Sequence, residues 1–187
     1  MSRINIVALI VGRRGSGKTI YTKRMIKKYL ENKKVLVCDT LDHPSYKGVE
    51  RIKPIDIPNM ENGDFCRVFG GETDRILNAC NKFSNGLLVF EDATKYVGKN
   101  LTKEVKQFIY DSKQKNVDIL FLFHGFTSCP PDLFRACDML VMFKTGDSPD
   151  IRKNDLGGLF NEVKLAYEKM LAKGGNDRFT PEIVQIY

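Results

Sequence analysis

The sequence contains no C-x-x-C pair and no apolar run long enough to span a bilayer. Its five cysteines are odd in number and scattered, which argues against both a disulfide framework and a zinc site. The N-terminal apolar run lacks a cleavage region, so we expect no signal peptide. Together these absences disfavour disulfide-rich secreted domains and membrane-spanning proteins, and we expect a soluble protein of a reducing cytoplasm.

The sequence also has no internal repeat, no low-complexity segment and no linker that would mark a second domain. Its 187 residues suit one domain, 1–187, and a hydrophobic content of 42% is enough to fill a core. Apolar runs of strand length alternate with helical patterns, which predicts an α/β fold with a mostly parallel central sheet and helices on both faces. The net charge of +7 favours a polyanionic partner.

Residues 12–19 read GRRGSGKT and match the phosphate-binding pattern G-x-x-x-x-G-K-[ST] at every fixed position. An apolar run at 4–11 predicts a buried strand before this loop, and apolar residues at helical spacing follow it. Backbone N–H groups of such a loop face a phosphate, the lysine reaches the β and γ phosphates, and the threonine hydroxyl completes the shell of a Mg²⁺ ion. The predicted nucleotide-binding residues are Gly12, Arg13, Arg14, Gly15, Ser16, Gly17, Lys18 and Thr19.

A second apolar run, 86–90, ends in the acids Glu91 and Asp92 and resembles a Walker B strand. In that role one acid holds the Mg²⁺ ion, here with Thr19, and the next orients or deprotonates the attacking water. By register, Glu91 takes the metal position and Asp92 the catalytic one. Because most hydrolysing proteins of this kind have Asp before Glu, the division of roles stays open, and helix capping by the two acids is the alternative.

A third apolar run, 117–123, ends at His124, where a parallel strand opens onto the ligand crevice. We interpret His124 as a catalytic sensor of the γ-phosphate or of the attacking water, with an ordinary structural histidine as the alternative. Arg135, on a short predicted helix within 129–138, is the candidate charge-stabilising arginine, in its own subunit or in a neighbour's. Four other arginines compete for this role: Arg13, Arg14, Arg75 and Arg152.

Three further stretches leave alternatives open. Asp39 and Asp42 follow a predicted strand, 34–39, and suit either ligand contacts or chain turns. Residues 48–71 predict one or two short edge strands, with Pro54 and Pro58 confining any pairing to an edge. Lysines on the first helix and on a predicted helix at 101–115 form cationic faces, which suit either DNA phosphates or ordinary solvation.

The order of these motifs, GRRGSGKT, LLVFED, a strand ending in FHGF and then PPDLFRACD, is similar to that of the FtsK/HerA class of P-loop motor ATPases. Within that class the small size resembles viral genome-packaging ATPases and the related Zot-like phage assembly proteins. The resemblance covers about residues 1–145, and the family usually has Gln at the position of His124. It implies a ring of five or six subunits that threads double-stranded DNA, with nucleotide sites at subunit interfaces and an arginine supplied in trans.

Other nucleotide-binding classes lack their signatures here. A nucleotide kinase usually has an arginine-rich lid, a GTPase needs an N-K-x-D-type element, and an ABC ATPase shows an LSGGQ-like sequence; none is found. We therefore expect an ATP- and Mg²⁺-dependent motor that packages a viral double-stranded DNA genome into a preformed capsid, with a capsid vertex protein as a further partner. Its place would be the host cytoplasm or the virion. A nucleoside or nucleotide kinase and a non-hydrolysing nucleotide-dependent adaptor are the alternatives.

Overall fold

The computed structural model describes residues 5–98 and 100–186, except for the side chains of Asn176 and Arg178. The described residues form one eight-stranded sheet in the order β3-β4-β2-β5-β6-β1-β7-β8. All neighbouring strands are parallel except β7 and β8, which are antiparallel. The strands are β1 (Val7–Val11), β2 (Lys34–Asp39), β3 (Glu50–Ile52), β4 (Phe65–Phe69), β5 (Gly86–Glu91), β6 (Val117–Phe123), β7 (Met139–Met142) and β8 (Glu182–Gln185).

Helices connect the strands and cover the sheet. They are α1 (Lys18–Tyr29), α2 (Thr73–Cys80), α3 (Thr94–Val97), α4 (Lys103–Asp111), α5 (Pro131–Ala136), α6 (Lys153–Leu156) and α7 (Phe160–Ala172). Strands β1, β2, β5, β6 and β7 are buried along their whole length. Alternate residues of these strands belong to two separate apolar clusters, one on each face of the sheet. The predicted α/β fold with a mostly parallel, doubly covered sheet is thereby confirmed.

The structure changes two details of the sequence interpretation. The run 66–69 lies in β4, which pairs with both β3 and β2 and is therefore not an edge strand. Within 48–71, the described edge strand is β3. Pro54 and Pro58 do not restrict this pairing, because they lie in a 3₁₀ helix, Pro54–Asn59, between the two strands. Helix α4 is shorter than the predicted 101–115 and begins after Thr102, whose hydroxyl accepts a hydrogen bond from Val105 N at 3.4 Å.

The topology brings the candidate motifs to one edge of the sheet. Strand β1 lies between β6 and β7, and β5 lies next to β6 on the far side from β1. Because these strands are parallel, the segments that follow them, including residues 12–19, Asp92 and His124, meet at the carboxyl edge. The predicted strand 4–11 is observed as Val7–Val11, and Ile4 lies outside the described residues.

Candidate nucleotide-binding and hydrolysis site

Residues 12–19 turn tightly between β1 and α1, and two glycines make this turn possible. Gly17 has φ +105°, and a Cβ atom there would lie 3.2 Å from the carbonyl oxygen of Phe179. Gly12 packs closely on Phe143, the residue that follows β7. A Cβ atom at position 12 would lie 2.6 Å from Phe143 Cβ. Side chains larger than hydrogen at these two positions would therefore deform the loop.

The loop borders a cavity of about 300 Å³, within the size range of small-ligand sites. Residues 14–19 line one wall, and Glu91, Asp92 and His124 line another. The hydroxyl of Ser16 is buried in this loop and has no hydrogen-bond partner among the described residues. Buried polar groups are nearly always paired, so this hydroxyl fits a site in which a polar ligand completes the bonding.

Lys18 is buried at the start of α1, and its ammonium donates hydrogen bonds to the carbonyl oxygens of Gly12 and, at 3.1 Å, Arg13. Burial lowers the pKa of Lys18 to about 8, although the negative charges of Glu91 and Asp92 act in the opposite direction. A triphosphate in the cavity would add negative charge beside this ammonium. Lys18 is thus poised to bind phosphate as its charged form.

Glu91 ends β5 at the base of the cavity with both carboxylate oxygens engaged. Thr19 Oγ1 donates to its Oε1 at 3.5 Å, and the buried Tyr46 hydroxyl donates to its Oε2 at 3.1 Å. Burial raises the pKa of Glu91, while nearby His43, the Tyr46 hydrogen bond and Lys18 lower it. Tyr46 lies in the segment between β2 and β3, and no spacing or motif in the sequence identifies it as a partner of this acid.

Asp92 has φ +50°, a left-handed conformation that Asp tolerates better than most residues. Its Oδ1 accepts a hydrogen bond from Thr94 Oγ1 at 2.6 Å and lies 3.9 Å from Nε2 of His124. Burial, together with the positive charge of Lys18, lowers the pKa of His124. The imidazole is therefore biased towards its neutral form, in which it can accept or donate a hydrogen bond.

The oxygen donors at this site fit a Mg²⁺ ion. Thr19 Oγ1 and Glu91 Oε1 are 3.5 Å apart and face the cavity wall formed by the loop. Neighbouring ligands of an octahedral Mg²⁺ ion are about 3 Å apart, and this ion usually takes only one or two protein ligands beside water and phosphate oxygens. Thr19 and Glu91 would therefore hold the ion, which would neutralise charge on bound phosphates.

Asp39 and Asp42 shape the chain after β2. Asp39 accepts hydrogen bonds from Leu41 N at 3.1 Å and His43 N at 2.8 Å, and Arg67 forms ion pairs with both aspartates, at 3.5 Å and 2.5 Å. These contacts support the chain-turning interpretation of both residues, and Asp39 also lines the cavity. The turn leads into the 3₁₀ helix Pro44–Tyr46, which delivers the tyrosine hydroxyl to Glu91.

The structure does not bring Arg135 to the cavity of its own chain. Its guanidinium lies 3.7 Å from Asp132 and 3.6 Å from Asp155, beside α4. Arg152 is held by Asp155 and by the carbonyl oxygens of Phe126 and Thr127. A contribution of Arg135 to catalysis would therefore require the cavity of another subunit.

The arginines of the loop itself differ in position. Arg14 lines the main cavity, whereas Arg13 lines a neighbouring cleft of about 400 Å³ together with Arg14 and Lys144. Both arginine side chains are exposed. Arg75 is exposed as well and pairs with Glu72 at 3.0 Å. Of the five arginines considered from the sequence, only Arg14 lines the main cavity of its own chain.

The fold is similar to that of several solved structures of viral genome-packaging proteins. The genome-packaging NTPase B204 of Sulfolobus turreted icosahedral virus 2, in complex with sulfate, superposes with a TM-score of 0.70 at 14% identity over 87% of this chain and 86% of that one. Its complex with ATP-γ-S gives 0.67 at 15% identity over 86% of each chain. The DNA-packaging ATPase B204 of Sulfolobus turreted icosahedral virus gives 0.61 at 15% identity over 90% of this chain and 87% of that one.

No protein-family model and no curated protein matches the sequence. None of the described helices has the length and apolar character needed to cross a membrane. The structural likeness extends over most of both chains. The chain therefore has the P-loop NTPase fold that these genome-packaging proteins share.

Proposed function

We propose that the protein is an ATPase that uses hydrolysis to translocate double-stranded DNA, and that it packages a viral genome into a preformed capsid. The ATPase part of the proposal rests on one observation: the phosphate loop, the carboxylates of Glu91 and Asp92, and His124 all line the same cavity. This combination supplies both charge stabilisation for a triphosphate and groups that can position a water molecule.

The residues of the cavity divide the work of hydrolysis. The loop N–H groups and Lys18 bind the phosphates and stabilise the charge that develops on them. A Mg²⁺ ion bound through Thr19 and Glu91 would supply further charge neutralisation. Asp92 and His124, whose Oδ1 and Nε2 lie 3.9 Å apart, would orient the attacking water and accept its proton.

The DNA part rests on charge. The exposed face of α1 has four cations that form no salt bridge with any described carboxylate: Lys23, Arg24, Lys27 and Lys28. On α4, in contrast, Lys106 pairs with Asp132 at 3.0 Å. Lys115, just after the end of this helix, pairs with Asp111 at 3.0 Å. The α1 face is therefore the stronger candidate for contacts with DNA phosphates.

The packaging part is supported by the genome-packaging role of B204 in the solved structures. The motif resemblance further implies a ring of five or six copies, in which we expect the exposed Arg13 and Arg14 to lie near a neighbouring subunit and Arg135 to reach a neighbour's cavity. A capsid vertex protein would be the further partner, and the site of action would be the host cytoplasm or the virion.

The test is the ATPase rate with and without double-stranded DNA. We expect DNA to stimulate the wild-type protein and Lys18→Ala to abolish turnover. The double variant Lys27→Glu/Lys28→Glu should lose most of the stimulation. The matched control Lys103→Glu/Lys113→Glu, at the start of α4 and just after its end, should keep it. Turnover unaffected by DNA, with phosphorylation of a small substrate, would indicate a kinase, and tight ATP binding without turnover would indicate an adaptor.

A further inference from the structure

The phosphate cavity has two apolar rims, and either could receive the base of a nucleotide. One is formed by Leu41 beside His43, in the turn that follows β2. The other is formed by Ile20 on the first turn of α1 and Phe179 just before β8. Leu41, Ile20 and Phe179 are large apolar side chains with 58%, 59% and 43% of their surface exposed.

The sheet order decides between the rims. Glu91 and Asp92, which mark the γ-phosphate end of the cavity, follow β5, on the β6 side of β1. Leu41 follows β2, still farther in that direction. A triphosphate that crosses the loop with its γ-phosphate towards these acids must place its base on the opposite side, towards β7 and β8. The rim formed by Phe179 lies on that side.

The antiparallel strand β8 explains why Phe179 reaches the site. Met142, at the carboxyl end of β7, pairs with Glu182, at the amino end of β8. The segment 179–181 therefore lies at the same edge of the sheet as the phosphate loop. Lys173 holds it there by donating to the carbonyl oxygens of Thr180 at 3.2 Å and Pro181 at 3.4 Å, and by pairing with Glu182 at 2.6 Å.

A cleft of about 330 Å³ lies between this segment and the first turns of α1, lined by residues that include Ile20, Tyr21, Arg24 and Phe179. It adjoins the phosphate cavity, because Gly17, Ile20 and Phe179 border both. We propose that this cleft binds the nucleobase, with its ring stacked on Phe179 and packed against Ile20. The inference rests on the proposed function, since it assigns the base subsite of the same nucleotide site.

The chemistry of the cleft also predicts how the base is read. An aromatic side chain stacks on the flat face of a base, and adenine and guanine both present such a face. Stacking is therefore tolerant of base identity. Of the polar side chains that border the cleft, Arg24 and Thr180 are exposed and Tyr21 is half-buried, so water competes for much of the edge of the base. We therefore expect ATP and GTP to depend on Phe179 to a similar degree.

The test is equilibrium binding of Mg-ATP, Mg-GTP and inorganic tripolyphosphate with Mg²⁺ to purified variants. Phe179→Ala should weaken ATP and GTP binding by roughly tenfold, as expected for loss of one base–aromatic stack. Binding of tripolyphosphate, which has no base, should be unchanged. Phe179→Trp should restore the affinity for both nucleotides.

Two matched controls separate stacking from general damage. Ile183→Ala removes an equally exposed apolar side chain on β8 that lines neither cavity, and Leu41→Ala removes the other rim. Both should leave the ratio of ATP to tripolyphosphate affinity unchanged. The inference is overturned if Phe179→Ala binds ATP as the wild type does, if it loses tripolyphosphate equally, or if Leu41→Ala shows the base-dependent loss instead.

Failure of the proposed function has a different signature. A wild-type protein that binds ATP but never hydrolyses it contradicts the ATPase proposal, yet the affinity ratios of the variants still test the base subsite. Conversely, normal DNA-stimulated turnover in Phe179→Ala with unchanged ATP affinity removes the base subsite alone.

Discussion

The hydrogen bond from Tyr46 to Glu91 gives a sharp test of how the site is built. The Tyr46 side chain is fully buried, and its hydroxyl donates to Glu91 Oε2 at 3.1 Å. Tyr46→Phe removes only this hydroxyl and keeps the ring that packs under the sheet. Glu91 then loses a donor in a place that water reaches poorly, since only 9% of the residue is exposed.

The expected magnitude follows from the charge of the acceptor. A hydrogen bond to a charged group contributes about 1.5–3 kcal/mol. Because this bond favours the ionised carboxylate, its loss should raise further the pKa of Glu91, which burial already raises. The free energy of unfolding at neutral pH should fall by a similar amount.

Two measurements check this prediction. Denaturant unfolding at pH 7 should show the loss of stability, and the acid limb of the ATPase pH profile should move to higher pH. Tyr96→Phe is the matched control, because Tyr96 is also buried but its hydroxyl has no hydrogen-bond partner among the described residues. That variant should keep the wild-type acid limb and lose no stability.

A double-mutant cycle with Glu91→Gln isolates the pair. If Tyr46 acts through the carboxylate, its substitution should have a much smaller effect in the Glu91→Gln background. The reasoning would be refuted by a Tyr46→Phe protein with wild-type stability and an unmoved acid limb. Equal losses in Tyr46→Phe and Tyr96→Phe would also refute it, since the effect would then not depend on Glu91.

Three further predictions concern the loop and the subunit contacts. The pKa of Lys18 is about 8, and a bound triphosphate favours the charged form of its ammonium. ATP binding should therefore take up a proton and weaken as pH rises above 8, whereas binding to Lys18→Arg should not weaken in this range. Calorimetry in buffers of different ionisation enthalpy measures the proton uptake and the affinity. Gly17→Ala should lose nearly all ATP affinity while the protein remains folded, because its φ of +105° disfavours any side chain, and a binding titration with a circular dichroism control tests this. If Arg135 acts in trans, Arg135→Ala and Lys18→Ala proteins should each be inactive but regain partial ATPase activity when mixed, and mixtures without activity would argue against the trans role.

The parts of the site that could be predicted from sequence are those encoded by short, local patterns. The phosphate loop is contiguous, and the acids at 91–92 and His124 each follow an apolar run directly. Parallel strands then bring these ends together at one edge of the sheet without any knowledge of the strand order. This is why residues more than 70 positions apart, such as Thr19 and Glu91, could be assigned to one site.

The parts that could not be predicted depend on the strand order and on long-range packing. The place of β4 inside the sheet depends on pairing with β2 and β3, which its own composition does not determine. Tyr46 is 45 positions from Glu91, and nothing in a tyrosine within a polar loop marks it as a donor to a distant acid. Phe179 reaches the cavity only because β8 runs antiparallel to β7, a reversal that edge-strand composition does not reveal.

The reversed order of the two acids has a physical explanation in the same geometry. Residue 91 is the last residue of a buried strand and must reach Thr19 and Tyr46 from there, which suits the longer side chain of Glu. Residue 92 has φ +50°, a conformation that Asp adopts more readily than Glu because its short carboxylate bonds locally, here with Thr94. The backbone thus favours Asp over Glu in second place, where its carboxylate lies 3.9 Å from His124. Burial and reach together support the proposal that Glu91 holds the metal ion and Asp92 positions the water.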